Sequence, residues 1–491
     1  MVKKGLTIIG LGPGNPNRIT RQAWELLEDA QEIYLRTRMH PSISGFPEGL
    51  EVLSFDHLYE LDIPFEEVYE KIVDSVLTLG KRESGVIYAV PGHPFIAEAT
   101  TPEILRRAKA IGLPARILEG LSFVEAVFGL LALDPFPQTS LIDGLELAIM
   151  HHPPFPPSAP ALVAQIYSAS VASEVKLTLM TVYPDDHLVD LVHGAGTDDA
   201  RVETRELYKI DRAQNIGLET VLHIPALVSS SSFESFQEVV AHLRAPDGCP
   251  WDREQTHLSL RPFLLEETYE VLAALDAESQ TALQEELGDL LLQIVLHTQI
   301  ASEYGDFSMV DVLQGIQEKL IRRHPHVFGD IEAIDQQTVL ENWEKLKLAE
   351  RDENDEDSNG VLIGVSADLP ALVQAETFQQ RVKRVGFDWT DVQGVYDKVV
   401  EELLEVKQSE TTNEFEDEIG DLLFAVVNLA RWHEVDAESA LRQANRKFRQ
   451  RFEKLEGEVR KQGKDIAKLD IQELDQLWNR VKEGRDLDGD A

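Results

Sequence analysis

The phrase Glu401-Glu402-Leu403-Leu404-Glu405, followed by Glu418-Ile419-Gly420-Asp421, has an earlier counterpart in Glu266-Glu267-Thr268-Tyr269-Glu270 and Glu286-Leu287-Gly288-Asp289. Both copies read E-E-x-x-E, a gap, then E-x-x-D. A helix advances about 100° per residue, so the three acids of the first phrase fall within an arc of roughly 100°. Positions i and i+3 of the second phrase share a face as well. Two such helices laid together point five carboxylates into one small space, where they repel one another unless a cation lies between them. Hard oxygen donors of this kind suit Mg2+ or Mn2+.

The bland alternative is a solvated, Glu-rich helix face, and three features weigh against it. The pairing with E-x-x-D recurs in both copies. Each E-x-x-D runs into an apolar stretch, 290–296 and 422–429, so the acids border a core, where unpaired carboxylates are costly. Lys319 and Arg323 follow the first copy, Lys447 and Arg451 the second. Each of these pairs is four residues apart, hence on one helix face, as a polyphosphate site requires.

The copies are internal repeats, stepping 135 residues from Glu267 to Glu402 and 132 from Asp289 to Asp421. Amphipathic patterns place one helical unit at 233–350 and a second at 361–485. Ser229 to Ser232 reads as a polar connector, 350–360 as a charged linker and 483–491 as a frayed tail. The units are unequal. The second holds Arg384 to Trp389 and Asn445-x-Lys447. The first holds Arg322-Arg323-His324-Pro325-His326, where Pro325 ends a helix and the two histidines read as helix-terminus residues.

The N-terminal part reads differently. Leu6-Thr7-Ile8-Ile9-Gly10-Leu11-Gly12-Pro13-Gly14 is a buried strand entering a Gly-rich loop, and Thr20 caps a helix at 21–30. Apolar runs at 32–35, 51–55, 85–90, 115–118 and 161–167 alternate with helical patterns at 66–79, 100–111 and 122–132. Such alternation predicts an α/β fold with a largely parallel sheet. The Pro-rich segment 151–160 is expected to be a loop between two lobes. The Gly-rich loop lacks G-x-G-x-x-G spacing and is weak evidence for a ligand by itself.

Charge limits the partners. Against 46 Lys+Arg stand 87 Asp+Glu, a net charge of −41, which argues against duplex nucleic acid and against an anionic membrane surface. No uninterrupted apolar stretch approaches the ~20 residues that span a bilayer. The lone cysteine, Cys249, excludes an intrachain disulfide and fits a reducing compartment. The expectation is a cytoplasmic protein.

Gly10-Leu-Gly-Pro-Gly-Asn with Ile19-Thr20, then Pro91-Gly92-His93-Pro94, then Glu119-Gly120-Leu121-Ser122, resemble the successive signatures of tetrapyrrole (corrin/porphyrin) methylases. The resemblance covers 1–225 and implies two α/β lobes, about 1–118 and 119–225, holding S-adenosylmethionine between them. It implies that Pro91, Gly92, His93, Pro94 and Ser122 line the cofactor site, with Gly12 and Gly14 on the acceptor side. Many such methylases carry Gly-Asp-Pro where this chain has Gly92-His93-Pro94.

Cys249-Pro-Trp-Asp252, the two acidic phrases, Arg384-Val-Gly-Phe-Asp-Trp389 and Asn445-Arg-Lys447-Phe-Arg-Gln-Arg451-Phe are similar to MazG-type nucleoside triphosphate pyrophosphohydrolases across nearly all of 233–485. The whole order resembles the YabN-type fusion proteins of bacteria. The fold class it implies is a two-lobed α/β domain followed by two all-α helical-bundle units. The activity it implies is Mg2+-dependent cleavage of an NTP or dNTP to the monophosphate and pyrophosphate. Glu402, Glu405, Glu418 and Asp421 would be metal ligands, with Glu401 a ligand, an outer group or the base. Lys447, Arg451, Arg381, Arg384 and Asn445 would contact substrate. Glu267, Glu270, Glu286, Asp289, Lys319 and Arg323 would take the same roles in the first unit. Family precedent and the long apolar helix faces imply a homodimer, with closure around the two units of one chain as the competing arrangement. Two other readings compete: a methyltransferase with an accessory helical dimerisation half, and a nucleotide-binding regulator without turnover.

Overall fold

The computed structural model describes residues 4–482 except 62, 229, 330–338 and 340–359. The expected linker at 350–360 (Gly360 apart), the tail from 483 and the end of the first helical unit lie outside the described residues. The chain divides into two compact units, Met1–Gly248 and Cys249–Ala491.

In the first unit, β1 (Leu6–Gly10), β2 (Glu32–Leu35), β3 (Glu51–Ser54), β4 (Val86–Val90) and β5 (Ala115–Leu118) form one sheet in the order β3-β2-β4-β1-β5. Every pairing in it is parallel. Its connections carry α1 (Arg21–Asp29), α2 (Asp56–Tyr59), α3 (Phe65–Gly80) and α4 (Thr100–Ala110). Apolar residues therefore face both ways: Ile8, Tyr88 and Val90 pack with Val68, Ile72 and Ile104 on one side. Ile9, Ile33 and Ala89 pack with Ala23 and Leu27 on the other. β1 and β4 are buried along their whole length, as central parallel strands must be. Thr20 caps α1 by accepting from Ala23 N at 3.3 Å.

The second lobe begins with α5 (Phe123–Leu131) and continues through β6 (Ser140–Asp143), α6 (Gly144–Ala148), β7 (Ala161–Ala164), α7 (Ala169–Leu179), β8 (Leu188–His193), β9 (Arg201–Glu206) and β10 (Thr220–Ile224). Its sheet has the order β6-β7-β10-β8-β9. Only β6 and β7 pair in parallel; the other three pairings are antiparallel. The expectation of a largely parallel sheet thus holds for the first lobe and not for the second. The link between β8 and β9 is too short for the crossover that parallel neighbours need. The Pro-rich segment 151–160 is also not a connector between lobes. It joins α6 to β7 inside the second lobe, with Phe155 7% exposed in that core. A further helix, α8 (Phe233–Arg244), ends the unit.

The second unit is helical throughout its described residues. α9 (Pro250–Glu254), α10 (His257–Asp276), α11 (Gln280–Tyr304), α12 (Met309–Arg323) and α13 (Pro325–Phe328) make the first repeat. α14 (Ala371–Arg384), α15 (Val392–Gln408), α16 (Thr412–Trp432), α17 (Ala437–Lys461) and α18 (Ile471–Lys482) make the second. Thr256 and Thr411 set helix starts through reciprocal capping boxes with Ser259 and Glu414. Gly305, in the left-handed region at φ 75°, ends α11. The two hairpins α10–α11 and α15–α16 bring the acidic phrases face to face.

In the first lobe His40 bonds Ser42 Oγ through Nδ1 at 2.6 Å, and burial pushes its pKa down to about 4, against a raising bond to the Gly12 backbone. A histidine whose folded pKa lies below its unfolded one stabilises the fold above pH ~6.5, and that contribution is lost as pH falls toward 4. Chemical unfolding at pH 7 and pH 4.5 is expected to show a loss of up to ~3 kcal/mol from this group. His40→Asn should shrink the difference between the two pH values.

Candidate metal centres and cofactor cleft

In the second repeat, Glu402 and Glu405 project from α15 and Glu418 from α16, and each offers an oxygen within 4.8 Å of the others. The i, i+3 spacing on α15 supplies one edge of this triangle, and the start of α16 supplies its apex. Glu402 is 4% exposed. Its Oε1 accepts from Lys398 Nζ at 2.7 Å, while its Oε2 is buried with no hydrogen-bond partner. Glu401 turns to the same lysine at 2.9 Å and stands outside the triangle. Asp421 lies one turn beyond Glu418, also outside it, but close enough for its charge to be felt. Burial first, then the charges of Glu405, Glu402 and Asp421, hold the Glu418 carboxyl above its ordinary pKa.

The first repeat reproduces the arrangement with Glu267, Glu270 and Glu286. Glu267 is raised by burial and by Asp289, Glu270 and Glu266. Glu286 is raised by burial and by Glu270, Glu285 and Asp289. One difference separates the repeats. On the 135-residue step, Lys398 falls on Phe263, so the first cluster lacks the counterpart of this lysine. Lys398 was missed in the sequence, although its place four residues before Glu402 on a helix is a readable signal.

Three carboxylates converging around an unpartnered, buried oxygen form an all-oxygen donor set that fits Mg2+ or Mn2+. The expected cations are arranged less tightly. Lys447, Arg451 and Asn445 lie on α17, Lys319 and Arg323 on α12. Among the described residues no ion pair joins Lys447, Arg451 or Lys319 to either triangle; the lysine that does so is Lys398. On α14, Arg381 donates to the carbonyls of Ile363 at 2.6 Å and Gly364 at 3.3 Å. Arg384 ends the same helix.

In the α/β unit three loops meet at the C-terminal ends of β1, β4 and β5, where open α/β sheets bind ligands. Gly12 and Gly92 exchange backbone bonds, Gly12 N to Gly92 O at 3.2 Å and Gly92 N to Gly12 O at 2.9 Å. A Cβ on Gly10 would come within 2.5 Å of Gly92 O, and one on Gly120 would do the same. Gly14, at φ 135°, faces Thr197 of the second lobe, and Asn15 reaches Asp198 at 2.6 Å. His93 Nδ1 accepts from Phe95 N at 3.1 Å, so a neutral His93 carries its proton on Nε2. Pro91 precedes this loop, and Pro94 is buried behind it. Ser122 is 2% exposed and is committed to capping α5, with Glu125 accepting from its backbone N–H at 2.9 Å.

The acid triangles on paired helices and the three-glycine cleft define a protein with a methylase-type α/β half and a helical half of the MazG class. Residues 5–211 match the family Tetrapyrrole (Corrin/Porphyrin) Methylases, and 255–328 with 398–455 match the MazG nucleotide pyrophosphohydrolase domain. YabN of Bacillus subtilis (strain 168) is 38% identical over 492 residues, covering 97% of this chain and 98% of that protein. The nucleoside triphosphate pyrophosphohydrolase/pyrophosphatase MazG of Thermotoga maritima is 46% identical over 51% of this chain and 96% of its own length. The nucleoside triphosphate pyrophosphohydrolase of Escherichia coli (strain K12) is 44% identical over 50% and 94%. The chain belongs to the YabN family, fusions of a tetrapyrrole methylase-like domain with a MazG region. No described helix is long and apolar enough to cross a membrane.

A glutamate with a raised folded pKa contributes stability at low pH that is lost as pH rises through that value. Glu418→Gln should therefore raise the Tm of the chelator-treated protein at pH 7, and the gain should vanish near pH 4. An unchanged or lowered Tm at pH 7 would remove the case for repulsion within the triangle.

Proposed function

We propose that the helical half is a Mg2+-dependent nucleoside triphosphate pyrophosphohydrolase that cleaves NTPs or dNTPs to the monophosphate and pyrophosphate, with the second repeat as its principal site and nucleotide-pool clean-up as its role. The observation that carries this reading is Glu402, whose Oε2 is buried without a partner beside two further carboxylates. Its MazG relatives, pyrophosphohydrolases of nucleoside triphosphates by name, support the substrate class.

Glu402, Glu405 and Glu418 would hold the metal, with Asp421, one turn beyond Glu418, as a further donor, and Mn2+ fits the same oxygens. Bound there, the ion would neutralise the triphosphate, polarise the phosphorus and supply an activated water. Glu401, at the rim, orients that water or takes its proton. Lys398 places positive charge beside Glu401 and Glu402, where it would also attract a triphosphate. Lys447, Arg451 and Asn445 on α17, with Arg381 and Arg384 on α14, neutralise the phosphates and contact the nucleoside. Phosphoryl chemistry asks mainly for such positioning and charge. Glu267, Glu270, Glu286, Asp289, Lys319 and Arg323 offer a second, weaker site.

A homodimer in the cytoplasm is part of this reading. Leu272, Leu313, Ile316 and Leu320 leave apolar faces of α10 and α12 exposed, and a helical bundle covers such faces with another copy. The α/β half is proposed to bind S-adenosylmethionine in the cleft of Gly12, Gly14, Gly92, His93 and Ser122, supported by the glycine contacts that bring its loops together. Equilibrium dialysis with labelled S-adenosylmethionine tests that part.

Pyrophosphate release from a panel of NTPs and dNTPs, with and without Mg2+, tests the main claim. Glu402→Gln should lower kcat at least ~100-fold, and Glu267→Gln by no more than a few-fold. Equal losses would dissolve the asymmetry, and no loss in either would end the carboxylate reading. Methyl transfer in the absence of pyrophosphate release would favour the methyltransferase alternative. Tight nucleotide binding without products would favour the regulator.

A further inference from the structure

An ion cluster among the described residues joins the two repeats. Asp276, the last residue of α10, accepts from Arg446 at 3.1 Å and from Arg442 at 3.4 Å through the same Oδ2. The carboxylate is 13% exposed, and Arg442 18%. The Arg442 guanidinium also lies over the ring of Tyr269, 5.4 Å from its centroid, so α10 holds it at two points on one face, about two turns apart. A mostly buried carboxylate that accepts from two guanidiniums is a charge-assisted contact between the two helices.

The cluster is one-sided. On the step that sets Glu267 against Glu402, Asp276 falls on Thr411; on the step that sets Lys319 against Lys447, Arg442 and Arg446 fall on Gln314 and Glu318. The reciprocal pairing would set Thr411 against Gln314 and Glu318, which cannot form an ion pair. The first repeat grips the second, and the second does not grip the first. The gripped helix is α17, and Arg446 stands between Asn445 and Lys447, five residues before Arg451. These are the residues assigned to the substrate, and among the described residues no ion pair joins Lys447 or Arg451 to the acid triangle.

We infer that Asp276 is a positioning residue, through which the first repeat sets the placement of α17 and so of Asn445, Lys447 and Arg451 over the second repeat's site. The inference rests on the proposed hydrolase reading for its functional consequence. It gives the first repeat a role that does not depend on turnover at its own carboxylates. Because the metal ligands lie on α15 and α16, loss of the clamp weakens the hold on triphosphate and leaves the metal triangle intact.

The full chain carrying Asp276→Asn is compared with the unaltered protein in three measurements: pyrophosphate release, binding of a non-hydrolysable α,β-imido dNTP by calorimetry, and hydrogen exchange over 437–451. The expected result is a KM and Kd about tenfold higher, kcat within about twofold, an unchanged Mg2+ dependence and faster exchange at the start of α17. Arg446→Gln should reproduce it, and the charge-swapped pair Asp276→Arg with Arg446→Asp should recover at least part of the affinity. Faster exchange with unaltered KM and Kd would make the cluster structural only and overturn the inference, as would unaltered values in all three measurements. An unaltered protein that releases no pyrophosphate would end the hydrolase reading, while the analogue's Kd and the exchange rates would still decide whether Asp276 positions the nucleotide-binding helix.

Discussion

Like charges forced together govern the helical half. Glu402, Glu405 and Glu418 approach within 4.8 Å, and Glu402 does so from a position that is 4% exposed. Nothing about isolated helices favours this. The cost is borne by the apolar seam behind each E-x-x-D and by the capped starts of α10 and α16, which pin the hairpins in register. Lys398 offsets part of the charge in the second repeat, and the first repeat has Phe263 in place of that lysine. Raised carboxyl pKa values in both repeats follow from burial first and then from this same repulsion. A divalent cation among these oxygens would relieve it, so the arrangement fits a metal centre better than a solvated face.

The α/β half depends on a different constraint, the absence of side chains where three loops cross. Gly10 and Gly120 approach the Gly92 carbonyl more closely than a Cβ permits, Gly92 itself turns at φ 67°, and the two-way bond between Gly12 and Gly92 ties the ends of β1 and β4. His93 then sits in the cleft as a donor at Nε2 rather than as an acceptor, because a backbone N–H occupies Nδ1. Ser122 contributes through its helix cap, its hydroxyl being spent on α5 and Glu125.

Much of this was readable in the residues. Spacing of i, i+3 and i+4 is a property of one helix, so the acidic phrases announced their own convergence, and the apolar runs announced β1 to β5. The sign of strand pairing in the second lobe was not readable, because β10 enters between β7 and β8 only after the chain has passed both. The Pro-rich segment was misplaced for a related reason. Prolines mark a break in regular structure, but which side of a domain the break falls on depends on the sheet that closes around it.

The amino-acid order by itself determined the local geometry: which residues are helical, where helices start, which acids share a face, and that the acidic unit occurs twice. Those are short-range consequences of backbone periodicity and capping. Only the tertiary structure decided which acids actually meet, leaving Glu401, Asp421 and Asp289 beside the triangles rather than in them. It also decided that Asp276 answers to arginines 166 and 170 residues away. Contacts of that span are set by how packed helices bring distant turns together, and no periodicity in the chain encodes them.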